Sequence, residues 1–139
     1  MDRLIVERKL ESLRRSLERV RTKCPDAVEE FLLDIDAQDI VVLNLSRAVQ
    51  QCVDIGTHLL SDSRLPAPET MGSTFDLLAE AEIIDATLAE RIKKSVGFRN
   101  VAVHSYSALN MTIVHAIARE HLEDFTAFAR AAAALLQDQ

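Results

Sequence analysis

Tryptophan is absent from this 139-residue chain, and tyrosine occurs once, as Tyr106. Glycine and proline number three each, so chain breakers are scarce. With Leu, Ala, Glu and Arg abundant, that scarcity favours helices over strands. Cysteine is limited to Cys24 and Cys52. Two cysteines make no disulfide framework, and neither has a neighbour at zinc-ligand spacing. Apolar runs fall short of a membrane span, and no signal-peptide pattern is present. A reducing cytoplasm is the expected setting, without membrane attachment. Gly-rich phosphate loops, Cys-x-x-Cys pairs and His-Glu-x-x-His are missing too, so neither a metal nor a cofactor is expected.

What remains is helical material of one domain's length, residues 1–139, with 48% apolar residues to build a core. The formal net charge of −6 argues against a general nucleic-acid binder. Its distribution is uneven. Residues 24–90 hold fourteen acids against two bases, Arg47 and Arg64, whereas residues 3–23 hold eight bases and three acids. Residues 91–119 hold Arg91, Lys93, Lys94, Arg99 and Arg119 and no acid. Such a segment suits a phosphate backbone. The plainer reading is a solvated face neutralised by the acidic stretch of the same chain or by a partner.

The first helix spans residues 3–23, where Val6, Leu10, Leu13, Leu17 and Val20 repeat at alternating four and three. Pro25 ends it. A linker follows in which Phe31, Leu32 and Leu33 are expected to pack. Asp36 or Asp39 is expected to cap a second helix running to about Leu60. That helix carries two apolar stripes, one along Val41, Leu45, Ala48, Cys52, Ile55 and Leu59, the other along Val42, Val49, Val53 and Leu60. Either it is a central core helix, or its second side meets another subunit. Residues 61–73 read as the main loop. Ser73 or Thr74 is expected to cap a short helix to about Glu80, and Asp85 the next helix. A fifth helix starts after Asn110 and runs to about Leu136, with Val114, Ile117, His121, Phe125, Phe128 and Ala132 facing inward and His121 a core or interface histidine. The expected fold is all-α: an antiparallel up-and-down bundle of four long helices plus a short one.

Most of the chemistry lies in Gly97–Tyr106, read as the end of the helix begun at Asp85. Its apolar stripe runs Leu88, Ile92, Val96 and Val103; Arg99 falls on that stripe, and Tyr106 would continue it. A charged side chain seldom enters a buried face unless paired or functional. Arg99 and His104 lie about 140° apart on an ideal helix. They share a site only if the Arg reaches round, the helix ends at the His, or a second chain completes the site. Asn100 stands one turn before His104 and is expected to orient it. The plainer reading makes Arg99 and His104 helix C-caps. Arg47, Gln51 and Asp54 form a polar row on the second helix; Asp54 would orient Arg99 or His104, unless the row is merely solvated. Arg47, Arg91 and Lys94 are candidate contacts to a phosphate backbone.

The Arg99-x4-His104-x-Tyr106 pattern resembles the motif of the HEPN superfamily, in the form seen in HepT-like toxins; the chain length and five helical segments agree. The resemblance implies a metal-independent endoribonuclease, the toxin of a type VII-like toxin–antitoxin pair with a minimal nucleotidyltransferase. It implies a homodimer with a composite active site, and Tyr106 as the residue that the antitoxin AMPylates. The chemistry fits the residues. Histidine moves protons near neutral pH, and arginine stabilises a crowded phosphorane with two donors at once. One chain supplies one motif histidine, whereas a two-fold dimer supplies a base and an acid. The alternative is a non-catalytic helical module that partners a nucleotidyltransferase.

Overall fold

The computed structural model describes residues 1–138, and among these every regular element is a helix. In chain order they are α1 (Arg3–Lys23), α2 (Val28–Leu33), α3 (Ile35–Leu60), α4 (Met71–Glu80), α5 (Ala86–His104), a single 3-10 turn (Tyr106–Ala108), α6 (Met111–Glu120) and α7 (Leu122–Gln137). The bundle is all-helical, as the sequence predicts, with two changes. The linker after Pro25 contains the short α2, and the fifth helix is two helices that meet at His121.

The chain wraps α3. Its two stripes, including Val41, Val42, Leu45, Val49, Cys52, Ile55 and Leu59, are all buried within this chain. That resolves the double stripe in favour of a central core helix, so this pattern is no sign of a second subunit. The α1 seam packs on α3 through Val6, Leu13, Leu17 and Val20, with Leu10 half-buried. Phe75 of α4 meets Phe128 of α7 edge-on, with ring centroids 5.9 Å apart. His115 of α6 holds α2 in place, its Nε2 lying 2.8 Å from the Pro25 carbonyl and its ring 5.5 Å from that of Phe31.

Several expected boundaries move by a few residues, each for a local reason. Asp34, not Asp36 or Asp39, caps α3 by accepting from the Ala37 amide. Thr70 caps α4 in a reciprocal box with Ser73, which sits inside the helix rather than at its cap. Of the three apolar residues expected to pack in α2, only Phe31 does; Leu32 and Leu33 are exposed, because a helix of six residues turns one face inward. His121 is exposed rather than inward-facing, since the break between α6 and α7 swings it out.

Gly56 marks the tightest approach in the core. A Cβ there would lie 2.7 Å from Thr74 Cγ2 and 2.9 Å from Leu78 Cδ1, so α4 sits directly on the α3 backbone. Overpacking of this kind costs about 1–3 kcal/mol. Alanine's better helix propensity returns at most about 1 kcal/mol. Gly56→Ala is therefore expected to lower the thermal midpoint by about 3–8 °C. A midpoint equal to wild type in calorimetry would show that α4 yields at a cost no larger than the propensity gain.

Candidate active site

Asp85 starts α5 by accepting from the Leu88 amide. Ala89, Ile92 and Val96 then hold its first half in the core. After Val96 the helix leaves the core: Val101 and Val103 are exposed, and Arg99 is only half-buried. Arg99 therefore stands where the apolar stripe runs out, not within a buried face. The helix ends at His104, which is exposed, and Ser105 breaks the helical geometry with φ −151°. Of the three conditions the sequence sets for Arg99 and His104 to share a site, the second is met in so far as the helix ends at the histidine. Along the axis the two residues are about 7.5 Å apart.

In the surroundings of the motif the plainer reading holds for most of the bases. Lys93 pairs with Asp76 at 3.1 Å, which holds its ammonium above the usual range. Arg91 lies 3.8 Å from Asp124, and Arg119 pairs with Asp26. Acids distant in sequence thus neutralise three of the five bases in residues 91–119. Lys94 and Arg99 have no carboxylate within 4.0 Å among the described residues. Arg99 instead donates from Nη1 to the Asn100 carboxamide oxygen at 3.4 Å. Asn100 thus meets the arginine, where the sequence predicts an orienting contact with the histidine.

Gly97, Val101 and His104 share one face of α5 at i, i+4 and i+7. That face is bare: a Cβ on Gly97 would meet nothing within 4 Å. Tyr106 does not extend the α5 stripe. The chain turns at Ser105 into the 3-10 segment, which lays the tyrosine against α3. There its hydroxyl donates to Asp39 Oδ1 at 2.5 Å. Partial burial, then the bond and charge of Asp39, push the phenol up to about 12. Sequence reasoning reads Asp39 only as a possible helix cap. Nothing in a pattern links two residues 67 positions apart.

The remaining candidates lie elsewhere. Asp54 accepts from Gln50 at 2.9 Å and pairs with Lys9 of α1 at 3.4 Å, so it fastens α1 to α3 and faces neither Arg99 nor His104. Arg47 and Gln51 line an open groove between α1 and α3 together with Arg15 and Arg19. Arg91 and Lys94 edge a cavity of about 380 Å³ floored by Ile117 and Phe125, with His121 and Asp124 at its rim. No three His, Cys, Asp or Glu side chains converge among the described residues. No described helix is long and apolar enough to cross a membrane.

A helical bundle that leaves an arginine and a histidine free at the end of one helix has the layout of a HEPN-class nuclease. The comparisons narrow this. The family model described as Ribonuclease HepT-like matches residues 8–132. The chain is 37% identical over 124 residues to the mRNA nuclease HepT of Shewanella oneidensis, covering 89% of this chain and 92% of that one. It is 28% identical over 107 residues to the tRNA nuclease HepT of Aphanizomenon flos-aquae, covering 77% and 73%. The solved structure of the tri-AMPylated Shewanella oneidensis HEPN toxin in complex with its MNT antitoxin matches with a TM-score of 0.88 at 36% identity, covering 94% of this chain and 97% of that one. The chain belongs to the HepT-like ribonuclease family and is a ribonuclease of the toxin–antitoxin kind.

Proposed function

We propose that this single-domain toxin cuts RNA without a metal, at a site that two copies build together around Arg99 and His104. The observation that carries the reading is the unpaired Arg99 beside an exposed, helix-terminal His104. One His104 removes the proton of the 2′-hydroxyl, and the other protonates the leaving 5′-oxygen. The two Arg99 guanidinium groups hold the phosphorane. The bare face of Gly97, Val101 and His104 supports the assembly, because a second copy seated there brings the two histidines together. Asn100 supports the arginine. Lys94, Arg91 and Arg47 extend phosphate contact away from the cut; Asp54 serves the α1–α3 packing.

Control is proposed to fall on Tyr106. The Shewanella oneidensis toxin is tri-AMPylated in complex with its MNT antitoxin. In this chain Tyr106 is 40% exposed and stands two residues beyond His104. The exposed Ile35 and Leu43 flank Asp39 by one turn on either side and give an antitoxin an apolar footing beside it.

Light scattering at micromolar concentration is expected to give at least twice the 15.5 kDa chain mass, and RNA cleavage is expected to persist in EDTA. A 15.5 kDa monomer that still cleaves would defeat the shared site. Recovery of cleavage on mixing Arg99→Ala with His104→Ala chains would require the two residues to act across subunits, because the mixed dimer keeps one intact residue of each kind.

A further inference from the structure

We propose that Asp39 is the carboxylate that takes the phenolic proton of Tyr106 when AMP is transferred to that residue. The inference rests on the reading of Tyr106 as the modified side chain. The two residues stand 67 positions apart, and the turn at Ser105 brings them together. Asp39 Oδ1 accepts the only proton that must leave the reacting oxygen.

The need for a base follows from the phenol itself. Pushed up to about 12, it stays protonated at neutral pH and is a weak nucleophile on its own. In the transfer, Tyr106 Oη attacks the α-phosphorus of ATP. The bond from that phosphorus to the bridging oxygen breaks, and pyrophosphate leaves with the electron pair. The phenol becomes strongly acidic only as its oxygen bonds to phosphorus. A carboxylate already hydrogen-bonded to it then takes the proton without reorganisation, as the catalytic aspartate of a protein kinase does for a substrate hydroxyl. Asp39 is therefore a catalytic residue that the toxin contributes to its own neutralisation. The Ile35 and Leu43 side chains on either side shield the pair from bulk water once the antitoxin docks on them.

Asp39→Asn separates this role from simple positioning, because the carboxamide oxygen still accepts from Tyr106 but cannot hold its proton. Single-turnover AMP transfer is read by intact mass and peptide mapping, with the toxin bound to its antitoxin and supplied with ATP. Wild type is expected to gain AMP on the Tyr106 peptide. Asp39→Asn is expected to slow that transfer about 10²-fold with an unchanged KM for ATP and unchanged antitoxin binding, and Asp39→Glu to recover part of the rate. Asp39 is exposed, so helix content and melting serve as the folding check. AMP on Tyr106 at the wild-type rate in folded Asp39→Asn would overturn the inference alone. So would a slowed transfer explained wholly by lost antitoxin binding. AMP found on a peptide without Tyr106 would instead end the reading of Tyr106, and this inference with it.

Discussion

His104→Ala is expected to lower RNA cleavage by about 10²–10⁴-fold, the range for losing a general acid or base. The upper part of that range is expected, because one substitution removes both motif histidines of a two-fold dimer. Arg99→Ala follows a different route: it leaves the proton carriers and removes the cation on the phosphorane, at about 10²–10³-fold. Neither change should unfold the chain. His104 is exposed and Arg99 half-buried, and neither holds a carboxylate within 4.0 Å among the described residues, so each substitution should cost little stability. Cleavage of a defined RNA, read on a gel beside a thermal melt, separates activity from folding. Full cleavage by a folded His104→Ala chain would remove the histidine from the mechanism and leave the C-cap reading in its place.

The bundle was legible wherever one helix face met the core. The seam Val6, Leu13, Leu17 and Val20 announces α1 because an exposed helix must confine its apolar residues to a stripe. Asp85 and Asn110 announce α5 and α6 because their side chains accept from free amides at the positions that a cap requires. Where packing overrides pattern, the sequence misleads. The stripes of α3 fit a central helix or one that also meets a second subunit, and only burial of both within its own chain decides for the first. Val103 and Tyr106 fit the α5 period on paper, yet the period says nothing about where the core ends. The break at His121 carries neither Pro nor Gly, and no local residue accounts for it.

The motif itself was visible as residue types at a spacing, while its electrostatic setting was visible only as two alternatives. The sequence leaves open whether Lys93, Arg91 and Arg119 meet phosphate or are neutralised by the acidic stretch of the same chain; Asp76 and Asp26 of that stretch occupy Lys93 and Arg119, and Asp124 of α7 faces Arg91. The result is a narrower site than the segment's charge implies: Arg99 and Lys94 keep the field that remains. The same holds for Asp39, whose carboxylate is an ordinary helix-surface acid until the 3-10 turn places a phenol on it. Chemistry that depends on one side chain of one helix is readable from a motif. Chemistry that depends on a contact between helices needs the fold.

Tyr106→Phe is expected to yield a toxin that its antitoxin cannot silence. The ring and its packing stay, and only the hydroxyl and its bond to Asp39 are lost, a change of about 0.5–1.5 kcal/mol in stability. RNA cleavage is expected to persist, since the proposed Arg99/His104 chemistry assigns the phenol no part. Neutralisation is expected to fail because the acceptor oxygen is gone. In wild type each AMP brings a phosphodiester with about one negative charge to the edge of a site that must bind a polyanion. At several ångströms and moderate dielectric, that charge opposes an RNA phosphate by about 1–3 kcal/mol, or about five- to 150-fold in binding. The bulk of the nucleoside adds to this, and further AMP groups multiply it. The measurement is growth of cells carrying both genes, paired with intact mass after incubation of the purified proteins with ATP. Wild type should gain AMP and lose cleavage. Tyr106→Phe should gain nothing and go on cutting. An unchanged mass gain in Tyr106→Phe would place the modification on another residue, and silencing without any mass gain would mean that the antitoxin acts by docking alone.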